Sequence, residues 1–230
     1  MKYITKLLIL GLSLYVWVSG NAYAAQTEEP DAGNGDNTAA VVDQSRALSA
    51  AEKAQSQFYR GMTSYLEGDY QTAAKSFHQA AGQGHANAQF TLGVMFYQGD
   101  GVDQDYKEAV KWYRLAADQG LTPAQFNVGM MYYQGEGVDQ DYQEAAKWYR
   151  MVAEQGLAQA QFNLGMMYNL GQGVTQDQVH AYMWADLAAA NDHPKAIELR
   201  NTVAQALAPA DIAKAQQLAK ECQENSYKGC

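Results

Sequence analysis

Residues 124–159 read AQFNVGMMYYQGEGVDQDYQEAAKWYRMVAEQGLAQ, and the 36 residues before them are a close copy of this stretch. Residues 88–123 align with it without a gap and are identical at 24 of 36 positions. Residues 160–195 agree with it at 16 of 36 positions, mostly in their first half. Self-similarity at a fixed period of about 20–50 residues is the sequence signature of a stacked repeat architecture.

A shorter copy precedes these three, at residues 54–87. Gly61 matches Gly93, and Tyr70 matches Tyr106 after a four-residue deletion in the intervening loop. The chain therefore contains four repeat units, and the fourth loses its resemblance to the others from Gln178 onward.

Each unit predicts two helices, of which the first spans the A-Q-F segment. Ala124, Val128 and Gly129 fall on one face of a helix with a 3.6-residue period. Because glycine costs about 1 kcal/mol in a helix, Gly129 is expected where a neighbouring helix approaches the backbone closely. Gly135 is expected to end the helix, and Gly137 to serve a loop that needs a positive φ.

The second helix of a unit carries its own start signal. Asp141 with Glu144, and Asp105 with Glu108 one unit earlier, have the spacing of an acidic capping pair. The predicted buried stripe of this helix comprises Ala145, Trp148, Tyr149 and Ala153. One helix pair cannot bury such a face alone, but stacked pairs bury a continuous core. The predicted fold is an all-α solenoid of antiparallel helix pairs.

The N-terminal 24 residues have the pattern of a cleaved secretory signal peptide. Lys2 and Lys6 precede an apolar run over residues 7–18, and Ala22-Tyr23-Ala24 provides a cleavage site after Ala24. The run is shorter than the roughly 20 residues that span a membrane, so no membrane insertion is expected after cleavage. We predict a soluble protein, periplasmic or secreted.

Residues 25–48 are mostly small and polar, which predicts a flexible leader. Order is expected from Ser49, because Ser49 and Glu52 have the spacing of a capping box.

Composition excludes several kinds of partner. The chain has 16 Lys and Arg against 25 Asp and Glu, a formal net charge of −9, which disfavours nucleic acid. The two cysteines, Cys222 and Cys230, are predicted to form a local disulfide in an oxidising compartment. Free thiols and intermolecular pairing remain alternatives, and the sequence does not determine the oligomeric state.

The pattern resembles the Sel-1-like repeat family, which is related to tetratricopeptide repeats. The matching residues are Ala88, Leu92, Gly93, Gly99, Gly101, Val102, Asp105, Ala109, Trp112, Tyr113, Ala116 and Gly120, with their copies 36 residues on. The resemblance implies a tetratricopeptide-like repeat at 49–87, Sel-1-like repeats at 88–123, 124–159 and 160–195, and C-terminal capping helices with a tail at 196–230. It also implies an exported bacterial protein that binds other proteins or peptides.

Alignment with the tetratricopeptide pattern places the first helix of each unit on the concave side. The predicted partner-binding residues there are Tyr97, Gln98, Met130, Tyr133, Gln134 and Met166. Tyrosine is a rigid amphipathic anchor and methionine repacks readily, which suits a peptide groove. Phe90, Phe126 and Phe162 are expected instead to pack between helices.

Two alternative functions are a β-lactamase-like or cell-wall hydrolase, and a secreted effector that binds a host protein. The serine enzymes of the first kind use S-x-x-K, S-D-N and K-T-G motifs, and none occurs here. No catalytic residue and no cofactor is predicted. The loop acids lack the order of an EF-hand and are expected to cap helices. His78, His85, His180 and His193 are interpreted as sharing no repeat position and no metal-ligand spacing.

Overall fold

The computed structural model describes residues 38–230, with side chains from Ser49 onward, and this part contains ten α-helices and no strand. The helices are α1 Thr38–Leu66, α2 Tyr70–Gly82, α3 Ala86–Gln98, α4 Tyr106–Asp118, α5 Thr122–Gln134, α6 Tyr142–Ala153, α7 Ala158–Leu170, α8 Gln178–Ala190, α9 Ala196–Ala204 and α10 Pro209–Glu224. The predicted signal peptide and leader residues 25–37 lie outside the described residues.

The predicted start of order at Ser49 is wrong. Helix α1 begins at Thr38, so Ser49 and Glu52 lie inside it and do not form its N-terminus. Residues 38–48 contain neither glycine nor proline, and nothing in them interrupts a helix. The chain forms two units, Met1–Glu52 and Lys53–Cys230, and the second contains the repeats.

Consecutive helices pack against one another from α2 to α9, which confirms the predicted solenoid. We call α3, α5 and α7 the A helices and α2, α4, α6 and α8 the B helices. The C-terminal α9 and α10 both pack against α8. Each cluster of buried apolar side chains draws on neighbouring units, so the core runs along the stack.

The close approach expected at the helical glycines is confirmed. A Cβ atom on Gly93 would lie 2.6 Å from the ring of Tyr113, and one on Gly129 would lie 3.0 Å from the ring of Tyr149. Gly93 and Gly129 therefore each make room for a tyrosine of their own B helix, whereas Gly165 of α7 faces the α8 backbone at Ala181 and Ala185. Phe77 occupies the same place beside Gly61 in the first unit.

The capping prediction is half confirmed. The Asp105 carboxylate accepts hydrogen bonds from the amides of Lys107 and Glu108, and Asp141 does the same one repeat later. Glu108 does not complete a reciprocal box: its carboxylate pairs with Lys111, and the Asp105 amide donates to the Phe96 carbonyl. The aspartate caps its helix, and its own amide ties that helix to the A helix.

The two loop glycines have different roles. Gly135 ends α5 in the left-handed region, at φ 74°. Gly137 also has positive φ, but it faces the preceding repeat as well: a Cβ there would lie 2.2 Å from the backbone oxygen of Tyr106. Gly101 and Gly173 make the same contact with Tyr70 and Tyr142. The second glycine of each loop thus packs directly against the backbone of the preceding repeat.

The C-terminal tail folds back onto the last repeats. Cys222 and Cys230 are joined by a disulfide with their Cα atoms 5.6 Å apart. Between them, Tyr227 donates a hydrogen bond to Asn191 at 3.3 Å and lies beside Gly156. The tail therefore covers one end of the apolar core.

Candidate functional site

The A helices carry no charged residue. Each is 13 residues long, and none contains Asp, Glu, Lys or Arg, whereas α4 alone contains five. On each A helix, four residues at spacings i, i+4, i+7 and i+11 form one stripe. The stripes, which we call the neutral face, comprise Asn87, Thr91, Val94, Gln98; Pro123, Asn127, Met130, Gln134; Gln159, Asn163, Met166 and Leu170.

The neutral face differs from the outer side of the B helices in exposure. Its central residues are half-buried, apart from the buried Val94, whereas the A helices end in the exposed Gln98, Gln134 and Leu170. The outer side of the B helices is exposed along its length, and includes Leu115 at 47% and Met151 at 45%. This contrast is what a curved stack of helix pairs produces when the A helices line its more enclosed side.

Of the predicted partner-binding residues, Gln98 and Gln134 are the most accessible. Both are exposed at the C-terminal ends of their helices and occupy equivalent positions in successive repeats. Met130 is half-buried in the middle of the same face. These three side chains lie where a bound segment could contact them without unfolding a helix.

Tyr97 and Tyr133 are half-buried, and their hydroxyls are already engaged. Tyr97 donates to the Glu136 carboxylate at 2.9 Å, and Tyr133 donates to Gln172 at 2.9 Å, in each case across the joint to the next repeat. Burial and the Glu136 hydrogen bond raise the pKa of Tyr97 to about 12. Both tyrosines thus link successive repeats, and only the part of each ring that is not packed is available to a partner.

Met166 lies against the C-terminal cap. It packs on the buried cluster that includes Leu199 and Val203 of α9. Phe90 and Phe126 contact the rings of Tyr113 and Tyr149, at centroid distances of 5.8 and 5.5 Å, as their packing role predicts. The six predicted residues are therefore not one patch: Gln98, Met130 and Gln134 belong to the open part of the face, and Met166 to its covered end.

Sequence reasoning missed the asparagines of the face. Asn127 and Asn163 hydrogen-bond the hydroxyls of Tyr113 and Tyr149, whose pKa values are raised by burial and lowered in part by these bonds. Each amide keeps further donor and acceptor capacity. The signal was present in the repeat alignment, because both asparagines follow the A-Q-F motif, but the tyrosine partner is visible only in three dimensions.

A row of buried glutamines was also missed. Gln125 donates to the Ala117 carbonyl at the end of the preceding B helix and accepts from Gln155 at 2.8 Å. Gln89 and Gln161 make the same contacts in their own repeats, where Gln161 accepts from Asn191. These amides give a second hydrogen bond to helix-end carbonyls that already accept from the Gly84, Gly120 and Gly156 amides. The buried glutamine of A-Q-F is therefore structural.

The statement that the histidines share no repeat position is wrong for two of them. His85 and His193 are three 36-residue periods apart and occupy the same place in the first and fourth units. Each stacks on a phenylalanine, Phe58 or Phe162, at 4.6 and 4.3 Å between ring centroids. The interior repeats have Leu121 and Leu157 there, which concealed the equivalence.

Among the described residues, no three His, Cys, Asp or Glu side chains form a group that could hold a metal ion. Within the same range, no helix is long and apolar enough to cross a membrane.

A shallow cavity of about 470 Å³ lies on the outer side of α6, where Lys147 and Arg150 face Gly173 and Val174. Glu144 pairs with Lys147, and the Tyr168 hydroxyl with Arg150.

Paired helices, in-register glycine joints and an uncharged A-helix face define an α-solenoid protein. The Sel1 repeat family matches residues 86–121, 122–157 and 158–193. A Sel1 repeat protein from Oxalobacter formigenes is 38% identical, with a TM-score of 0.51, over 56% of this chain and 96% of that protein. The chain belongs to the Sel1 repeat family.

A second solved structure is similar over more of the chain. It is that of a protective antigen present in uropathogenic Escherichia coli strains, which displays an SLR fold. The two are 36% identical with a TM-score of 0.67, over 76% of this chain and 39% of that one. This chain thus spans well under half the length of the antigen. No curated protein is significantly similar to this chain.

Proposed function

We propose that this protein is a non-catalytic scaffold or adaptor that binds a protein or peptide in the groove lined by the A helices. Sel1 repeat proteins generally act as protein-interaction scaffolds, which supports the class of function. The observation that carries the site is the neutral face: equivalent, partly exposed amide and apolar side chains on three successive repeats. A face repeated in this way suits an extended partner that contacts several repeats at once.

We propose further that it acts in the bacterial envelope or outside the cell, after removal of residues 1–24. The signal-like sequence supports this location.

Site-directed photo-crosslinking in the native envelope tests this proposal. One protein carries the crosslinking residue at Gln134, on the neutral face. Its matched control carries it at Gln143, which is also an exposed glutamine, on the outer side of α6. The proposal expects a defined product from position 134 that is absent from position 143.

The partner captured by crosslinking is then purified, and its affinity for this protein is measured directly. Gln98→Arg with Gln134→Arg should weaken binding at least tenfold, because a guanidinium would lie against the bound segment. The matched variant, Gln79→Arg with Gln143→Arg, places the same change on the B helices and should bind normally. Equal loss in both variants, or a product from position 143 alone, would place the interface elsewhere.

A further inference from the structure

The distribution of charge along the repeats indicates what kind of segment the groove accepts. Each B helix carries charge: α4 has five charged side chains, α6 has three and α8 has Asp186. The A helices have none. In a chain of net charge −9, three equivalent helices without a single ionised side chain form a distinct chemical surface.

Such a surface discriminates against charged partners. A partner carboxylate or ammonium buried there would lose water and would meet no counter-charge on the A helices. Amide groups from Asn87, Asn127, Gln134 and Asn163 can instead both donate and accept hydrogen bonds, as a peptide backbone does. Exclusion of the wrong partner is an established route to specificity.

The loops reinforce this preference on one side. Asp100 and Glu136 lie where the A helices end and the next repeat begins, and Tyr65 and Tyr97 donate to their carboxylates. An acidic segment would approach these carboxylates unfavourably. A basic segment could contact them only at the rim, because the stripe itself offers no carboxylate.

Resting on the proposed function, we propose that the groove selects an extended peptide segment without charged side chains, and holds it by backbone hydrogen bonds and apolar contacts. Met130, which is half-buried, supplies an apolar contact at the middle of its stripe. Binding of this kind is nearly independent of salt, since few charges are paired or released.

Three pools of random twelve-residue peptides, applied to the immobilised full chain, test the inference. One pool contains only uncharged residues, one adds Asp and Glu, and one adds Lys and Arg. We expect the uncharged pool to be retained at least tenfold more than either other pool, and equally in 50 and 500 mM NaCl. Gln98→Lys with Gln134→Lys should abolish that retention, whereas Gln79→Lys with Gln143→Lys, on the B helices, should leave it intact.

The outcomes separate this inference from the proposed function. Stronger retention of a charged pool, lost in the A-helix variant, would overturn the charge rule and leave peptide binding in place. Retention of no pool by a protein whose helical circular dichroism is intact would count against peptide binding at this face, and the charge rule would fall with it. Retention that both variants lose equally would assign the binding to another surface.

Discussion

The two terminal repeats and the two interior repeats have different side chains at one equivalent position. At the position that follows each B helix, the interior has Leu121 and Leu157, and the ends have His85 and His193. His85 hydrogen-bonds Gln55 of α1, and His193 hydrogen-bonds Gln159 of the neutral face. The equivalent positions in the interior repeats are Asn87 and Pro123.

The two kinds of side chain also differ in exposure. Neither interior leucine is fully buried, because Leu121 is half-buried and Leu157 is 38% exposed, whereas His193 is only 9% exposed. A terminal repeat has a neighbour on one side only, and end repeats of solenoids are therefore atypical. Each terminal histidine stacks on a phenylalanine ring and makes a hydrogen bond to a glutamine that a leucine could not make.

The C-terminal end differs a second time. Trp112 and Trp148 are half-buried, but their equivalent Trp184 is completely buried. It belongs to the cluster that also contains Ala219 and Cys222 of α10, so α10 covers what would otherwise be an open face. The last repeat keeps the tryptophan of the interior and changes its environment.

The largest effect should come from this tryptophan. Trp184→Ala should lower the free energy of unfolding by about 3–5 kcal/mol, because it leaves a large cavity. Trp148→Ala is the matched interior change and should cost less, since Trp148 is only partly buried. Urea unfolding followed by circular dichroism measures both. Equal costs would mean that α10 does not bury the last repeat in solution.

A second comparison concerns the joints, which should not distinguish ends from interior. Gly137→Ala should destabilise by about 3 kcal/mol, because its Cβ would collide with the Tyr106 carbonyl at positive φ. Gly101→Ala and Gly173→Ala should cost about the same. Gly120→Ala is the control: it has φ +85° but nothing within 4 Å, so only the backbone cost of about 1 kcal/mol remains. A cost at Gly137 no larger than at Gly120 would show that the loop can move away from the joint.

Much of this architecture could be predicted from sequence, because identical residues recur with a 36-residue period. The close approach at Gly129 and the cap at Asp141 follow from local chemistry, and both are present. The start of α1 could not be placed, because Ser49 has a capping spacing inside a segment that is helical from Thr38. A cap motif marks a helix start only where the preceding residues are not themselves helical.

The candidate site was predicted less completely for a different reason. Tyr97 and Gln98 are neighbours in the motif, but the Tyr97 hydroxyl crosses to Glu136, 39 residues away, and Gln98 does not. Contacts between repeats depend on the superhelical geometry, which periodicity alone does not specify. The face of a helix can be read from its sequence, whereas the partner of each side chain on that face cannot.

A smaller effect is expected at the tail. Cys222→Ser with Cys230→Ser should destabilise the C-terminal end by about 2 kcal/mol, the loop-closure contribution of a short disulfide loop. Hydrogen exchange should quicken in α10 and around Tyr227, with α3 and α4 unchanged, because solenoid repeats are coupled mainly to their neighbours. Tyr227→Phe removes only the bond to Asn191 and is the milder control. Faster exchange throughout the chain would show that the tail stabilises the whole stack.

The smallest effect tests the terminal histidines themselves. Ala88 N–H donates to His85 Nδ1 at 3.2 Å, so Nε2 carries the hydrogen that is donated to Gln55. A second proton can enter only at Nδ1, where it breaks the cap of α3. His193 Nδ1 is buried with no hydrogen-bond partner among the described residues. Burial lowers the pKa of both histidines, and nearby Lys195 lowers that of His193 further.

The sign of the pH dependence follows from these lowered pKa values. Below about pH 6.5 the two histidines bind protons more readily in the unfolded chain than in the folded one. The stability that they provide is therefore complete above that pH and is lost as the pH falls. The pKa values of Asp69 and Asp177 are lowered from 3.8, so their contributions persist to lower pH and do not interfere between pH 7.5 and 5. His85→Leu with His193→Leu, which copies the interior residues, should lose less stability over this range in urea unfolding. Its cost at pH 7.5 should be about 1 kcal/mol or less per lost hydrogen bond. His78→Leu, an exposed histidine, is the control, and an undiminished pH slope in the double variant would assign the acid sensitivity to other groups.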